Sequence, residues 1–105
     1  MDAPVIRISI GKFDPAIAEV VEAKLNESRA RLEAGVRAMR GHIAYFAGVD
    51  RSSHAMHNVS IWRTVADAEQ MATFAPMMEL GKEFSALGVR FERPILNFDT
   101  LWRID

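Results

Sequence analysis

Between His57 and Glu69 the chain changes its hydrophobic period with no linker in between. His57-Asn58-Val59-Ser60-Ile61-Trp62-Arg63 alternates as a strand does, and Thr64-Val65-Ala66-Asp67-Ala68-Glu69 opens as a capped helix. A strand that feeds straight into a helix lays that helix back on its own sheet, which narrows the folds open to the chain. In the extended half, Asn58, Ser60 and Trp62 are two residues apart and project from one side, with Val59 and Ile61 on the other. One face therefore carries an amide, a hydroxyl and an indole N–H in a row. Such a row suits a small polar-edged ligand. Equally, its groups can be core residues whose hydrogen bonds are satisfied locally.

The rest of the chain falls into alternating elements. Val5-Ile6-Arg7-Ile8-Ser9-Ile10 has period two, and Gly11-Lys12 ends it. Asp14 and Pro15 form an N-cap and first helical position. Ile17, Val20, Val21, Leu25, Leu32, Val36 and Met39 then make one helical stripe of roughly seven turns. Gly35 is a candidate point of bending, and Gly41 a stop. Ile43 to Val49 is apolar on both faces, as in a strand buried on two sides. Asp50-Arg51-Ser52-Ser53 turns the chain into the strand that carries Asn58. Thr64 caps the next helix with Asp67 three residues on, and Pro76 should interrupt or restart it before Gly88. Val89 to Pro94 connects to a last strand, Ile95 to Ile104.

This order, strand–helix–strand–strand–helix–strand, predicts an α+β ferredoxin-like βαββαβ fold. With right-handed crossovers, a four-stranded antiparallel sheet carries both helices on one face. Two helices cover one sheet face only, yet Tyr45 and Phe46, and likewise Leu101 and Trp102, point to opposite faces. A bare face with such residues would be a large exposed patch, and pairing two copies across a two-fold axis would bury it. A homodimer is expected.

Composition supplies the exclusions. The 105 residues, 50% hydrophobic and 26% charged, fit a single domain over 1–105. The formal charge of −1 and the absence of any basic block make nucleic acid an unexpected partner. There is no cysteine, hence no disulfide, thiolate metal site or cysteine nucleophile. No apolar run has the ~18 residues of a membrane span, and Met1-Asp2-Ala3-Pro4 does not read as a signal peptide, so a cytoplasmic protein is expected. No nucleotide, flavin or metal motif is present, and no cofactor is expected. His54-x-x-His57 lacks a third ligand placed by sequence.

In layout, in the passage Asn58-Val59-Ser60-Ile61-Trp62-Arg63-Thr64, in the Ala-rich helix after it and in the closing aromatic strand, the chain resembles the dimeric α/β-barrel superfamily. Within that superfamily it resembles the antibiotic biosynthesis monooxygenase-like group. These relatives include cofactor-independent oxygenases of polycyclic phenols, haem-degrading oxygenases and small-molecule isomerases. In the cofactor-independent oxygenases an asparagine and a tryptophan four apart on this strand line a pocket between sheet and helices. Asn58 and Trp62 match that pair. Those enzymes also use polar or aromatic residues of the following helix, where this chain has Met71, Phe74, Met77 and Met78, with Lys82 the nearest basic group. The haem-degrading pattern fits worse: the first strand has Arg7 and Ser9 in place of an asparagine, Met71 stands near the tryptophan position, and no histidine follows His57.

The resemblance implies a phenol or anthrone-like substrate whose anion reacts directly with dioxygen. The protein must then favour the anion, exclude water and hold the ring. Asn58 and the Trp62 indole would donate to the oxyanion, with Ser60 beside them. Met71, Phe74 and Met78 would grip the ring, Lys82 would supply positive charge, and His42 or His57 would take the proton. The alternatives are an isomerase on the same pocket, or a non-catalytic or stress-related dimer that binds a small apolar or aromatic ligand.

Overall fold

The computed structural model describes residues 3–105, so that Met1 and Asp2, which open the segment judged against a signal peptide, lie outside the described residues. Strand β1 spans Val5–Lys12. Asp14 Oδ1 accepts the Ala16 N–H at 2.8 Å, and a 3₁₀ turn over Pro15–Ile17 passes into α1 (Ala18–Ala38). Helix α1 runs through Gly35 without interruption. The Phe74 ring occupies the space that a Cβ there would need, so glycine permits close packing at this point.

Strands β2 (His42–Asp50) and β3 (Ala55–Trp62) form the hairpin, with β3 beginning two residues earlier than the sequence pattern suggests. Thr64 Oγ1 accepts the Asp67 N–H at 3.1 Å and starts α2 (Val65–Glu69). A 3₁₀ turn, Gln70–Thr73, and an extended Phe74 separate α2 from α3 (Ala75–Leu87), where Pro76 sits in the first turn. Pro76 thus restarts the helix, since its missing N–H costs nothing at that position. Gly88, at φ 108°, ends α3.

The fold is α+β and ferredoxin-like, with an antiparallel sheet ordered β2-β3-β1-β4. The sheet has five strands, not the four expected. β4 (Arg90–Phe91) pairs with Gly11 and Lys12, and β5 (Leu96–Asp99) pairs with Val5 to Ile8, so two short strands share one edge of β1. Pro94 stands between them and has no N–H to give to a ladder. The expected strand Ile95 to Ile104 is shortened for a further reason. Thr100 gives its N–H and its hydroxyl to the Pro4 carbonyl (3.0 and 2.7 Å), after which the chain passes the start of β1. Leu101, Trp102 and Ile104 are left exposed.

The helices pack on one sheet face, and the core between them includes Val21, Leu32 and Val36 of α1, Met56 and Trp62 of β3, and Leu80 and Phe84 of α3. Strand phase decides what else meets the helices. Val5, Arg7, Ser9 and Gly11 share the helix side with Met56, Asn58, Ser60 and Trp62. Ile6, Ile8 and Ile10 therefore point away from the helices. By register they lie beside Val59, Ile61, Phe46, Leu96 and Phe98. Among the described residues nothing covers that second face, and Phe46 and Leu96 are 58% and 55% exposed. No helix of the described residues is long and apolar enough to cross a membrane.

Candidate functional site

A cavity of about 80 Å³, open on one side, lies between the helix-facing side of the sheet and helices α1 and α3. Its floor is polar because of the strand phase just described. Tyr45, Ser60 and Arg7 are direct cross-strand partners on β2, β3 and β1, and the next row contains Asn58 opposite Ser9. Its walls are apolar: Leu25 and Leu32 from α1, Met71 before α3, and Met77, Leu80 and Phe84 from α3. Phe91, Arg93 and Ile95 close one end.

The polar groups are ordered by one another. The Tyr45 hydroxyl donates to Asn58 Oδ1 at 3.0 Å, which leaves the Asn58 Nδ2 hydrogens without a partner among the described residues. Burial pushes the Tyr45 phenol above its ordinary range, with Arg7 acting the other way, so Tyr45 is a neutral donor at neutral pH. Ser60 Oγ accepts the Trp62 indole N–H at 2.8 Å and keeps its own hydrogen to give. Burial also lowers the Arg7 pKa; Tyr45 acts against that shift and the neighbouring Arg93 adds to it. No carboxylate and no imidazole is among the residues that line the cavity.

Of the residues singled out in the sequence, Asn58, Ser60, Met71 and Met77 line this cavity together. Trp62 does not: it is fully buried beneath the floor, with its N–H committed to Ser60. His42 packs edge-on against Trp62, ring centroids 5.5 Å apart, and its Nδ1 is buried with no hydrogen-bond partner. His57 belongs to the opposite sheet face, opposite Ile10 and Gly48. Phe74 fills the notch at Gly35, while Met78 and Lys82 are exposed on α3. The break at Phe74 sets the phase of α3 so that Met77, Leu80 and Phe84 face inward.

Five polar residues of the cavity escape a sequence reading: Arg7, Ser9, Ser28, Tyr45 and Arg93. The available signal was the alternation in β1 itself, where two polar side chains stand between isoleucines. Polar positions of such a strand are ordinarily assigned to solvent, and here they face the helices.

No protein-family model and no curated protein sequence matches the chain. Solved structures do match in fold. One from Deinococcus radiodurans, described as a "putative antibiotic biosynthesis monooxygenase", superposes with a TM-score of 0.73 at 14% identity, covering 96% of each chain. A protein from Shewanella oneidensis gives 0.72 at 13% identity, covering 95% of this chain and 93% of its own. A protein from Pseudomonas aeruginosa gives 0.63 at 23% identity, covering 100% and 98%. The chain therefore has the ferredoxin-like fold found in antibiotic biosynthesis monooxygenase-like structures. At these identities the likeness concerns architecture, and chemistry has to be argued from the cavity.

Proposed function

We propose that this protein is a homodimeric, monooxygenase-like enzyme that oxidises a small phenol with dioxygen and without a cofactor. The observation that carries the reading is the Asn58 amide, anchored by Tyr45 at its oxygen and with its Nδ2 free on the polar floor of an apolar-walled cavity. That nitrogen is placed to donate to a phenolic oxygen and so favours the phenolate. The donation then does part of the work of a general base, consistent with a lining that offers neither imidazole nor carboxylate. Attack of dioxygen on the phenolate ring carbon, followed by loss of water, converts phenol and O₂ into a quinone and H₂O. One oxygen atom enters the ring, the other leaves as water, and the substrate supplies all four electrons.

The enclosed volume, about 80 Å³, lies far below the ~300 Å³ at which sites for drug-sized ligands begin. A single-ring phenol suits it better than a fused-ring anthrone, which would have to project through the open side. The bare sheet face supports dimerisation: Phe46, Leu96 and Phe98 are 46–58% exposed next to three isoleucines, a patch that a second copy would cover. The experiment is oxygen uptake with single-ring phenols and anthrone. Uptake by wild type should fall about tenfold or more in a folded Asn58→Ala variant. Equal uptake by both proteins would remove Asn58 from the mechanism.

A non-catalytic binding role is favoured by one feature, a lining with no carboxylate or imidazole to take a proton at neutral pH. Tight phenol binding without uptake would select that reading.

A further inference from the structure

Arg7 differs from the other arginines of the chain. Of ten, it alone is not exposed. Six others hold a carboxylate at hydrogen-bond distance: Arg29 and Arg37 share Glu33, Arg31 holds Glu83, Arg40 holds Asp67, Arg51 holds Glu22 and Arg103 holds Asp105. Arg7 has no hydrogen-bonded partner among the described residues. A second cation, Arg93, lines the same cavity; its guanidinium lies over the Phe91 ring at 5.0 Å and donates to the Glu92 carbonyl. Two guanidinium groups thus line one small cavity that contains no acidic side chain. A half-buried cation beside a like charge is unfavourable unless something compensates it, and the compensating charge has to enter from outside.

We propose that the substrate carries a carboxylate in addition to its phenol, and that Arg7, assisted by Arg93 at the mouth, binds that carboxylate. This rests on the cavity being the ligand site, as argued above, and adds the substrate class. A phenolic oxygen needs one or two donors, which Asn58 Nδ2 supplies. The planar fork of a guanidinium matches a carboxylate with two parallel hydrogen bonds, and it is left over once the phenol is placed. A hydroxybenzoate-like acid therefore fits both ends of the polar floor, with the methionines against its ring.

The test is a calorimetric and NMR titration of the whole protein with 4-hydroxybenzoate and its neutral counterpart 4-hydroxybenzamide. Wild type should bind the acid at least about tenfold more tightly than the amide. Arg7→Gln should abolish that preference by weakening acid binding alone. Arg93→Gln, at an exposed position, should reduce the preference by a smaller factor. Equal affinity for acid and amide in wild type, with the Asn58 side-chain amide signals shifting for both, would overturn the carboxylate assignment and leave the cavity reading standing. Failure of both compounds to shift those signals would overturn the cavity reading itself. Should Arg7→Gln not fold, the wild-type acid-to-amide ratio and its loss in Arg93→Gln decide the matter.

Discussion

The hydroxyl of Tyr45 on β2 donates to Asn58 Oδ1 on β3 at 3.0 Å, and this bond fixes which end of the amide faces the cavity. With its oxygen held by Tyr45, Asn58 turns its two N–H donors to the cavity, an arrangement suited to an anionic oxygen.

Tyr45→Phe tests that orientation. The ring packing survives and one buried hydrogen bond is lost, so stability should fall by about 1 kcal/mol. Phenol affinity should fall more than thermal stability would suggest, because the amide becomes free to flip. Urea denaturation beside ligand titration separates the two effects.

Trp62→Phe should act on the fold first. Trp62 is fully buried and its N–H is spent on Ser60. We expect a loss of about 1–3 kcal/mol, with phenol binding weakened only modestly through the released Ser60 hydroxyl. A variant of normal stability with abolished binding would place the indole in direct contact with the ligand.

His42 sets a pH dependence of stability. Burial lowers its folded pKa below the ordinary 6.5, with Arg37 adding to the shift. The unfolded chain therefore binds the proton better, so this contribution is present above pH 6.5 and is lost as pH falls below it. His42→Phe should flatten that part of the profile. It should also be no less stable at neutral pH, since Nδ1 is buried without a partner in the native protein.

Glu83 links the two helices that wall the cavity. It accepts from Lys24 Nζ at 2.7 Å and from Arg31 at 2.9 and 2.7 Å, and Arg31 first, then Lys24, hold its carboxyl down at about 2. The clamp contributes fully above its ordinary value of 4.5 and is lost as pH falls toward about 2. NMR titration of the Glu83 carboxyl should show the depressed midpoint, and Glu83→Gln should remove this part of the acid sensitivity.

The bare sheet face predicts association. Phe46→Glu combined with Phe98→Glu should turn a dimer into a monomer on size-exclusion chromatography with light scattering. A wild type that elutes as a monomer at micromolar concentration would contradict the dimer.

Most of the architecture was legible from local signals. Asp14-Pro15, Thr64 with Asp67, Pro76 and Gly88 mark helix boundaries through capping chemistry and φ restriction, which act over a few residues. The shortening of the last strand and the extra strand before Pro94 were not legible, because they depend on Thr100 closing onto Pro4 at the start of β1 and on Pro94 having no N–H for a ladder. Strand phase was the larger gap. Ile6, Ile8 and Ile10 form the more apolar side of β1, and period alone assigns such a side to the core. A second apolar surface changes that assignment: the isoleucines face away from the helices, and Arg7 and Ser9 turn inward to the cavity. Asn58, Ser60 and Met71 were legible as members of one site because they are close in sequence to a distinct strand-to-helix passage. Arg7 and Tyr45 come from strands 38 residues apart by number and meet only through pairing with β3.

The most direct test is the stoichiometry of turnover by chelator-treated, purified protein with a single-ring hydroxybenzoate or phenol and dioxygen. A cofactor-free oxygenation should give one quinone for each O₂ consumed, with no hydrogen peroxide and no requirement for added flavin, metal or reductant. Oxygen consumption that yields equimolar peroxide, or that appears only when a reductant is supplied, would contradict it.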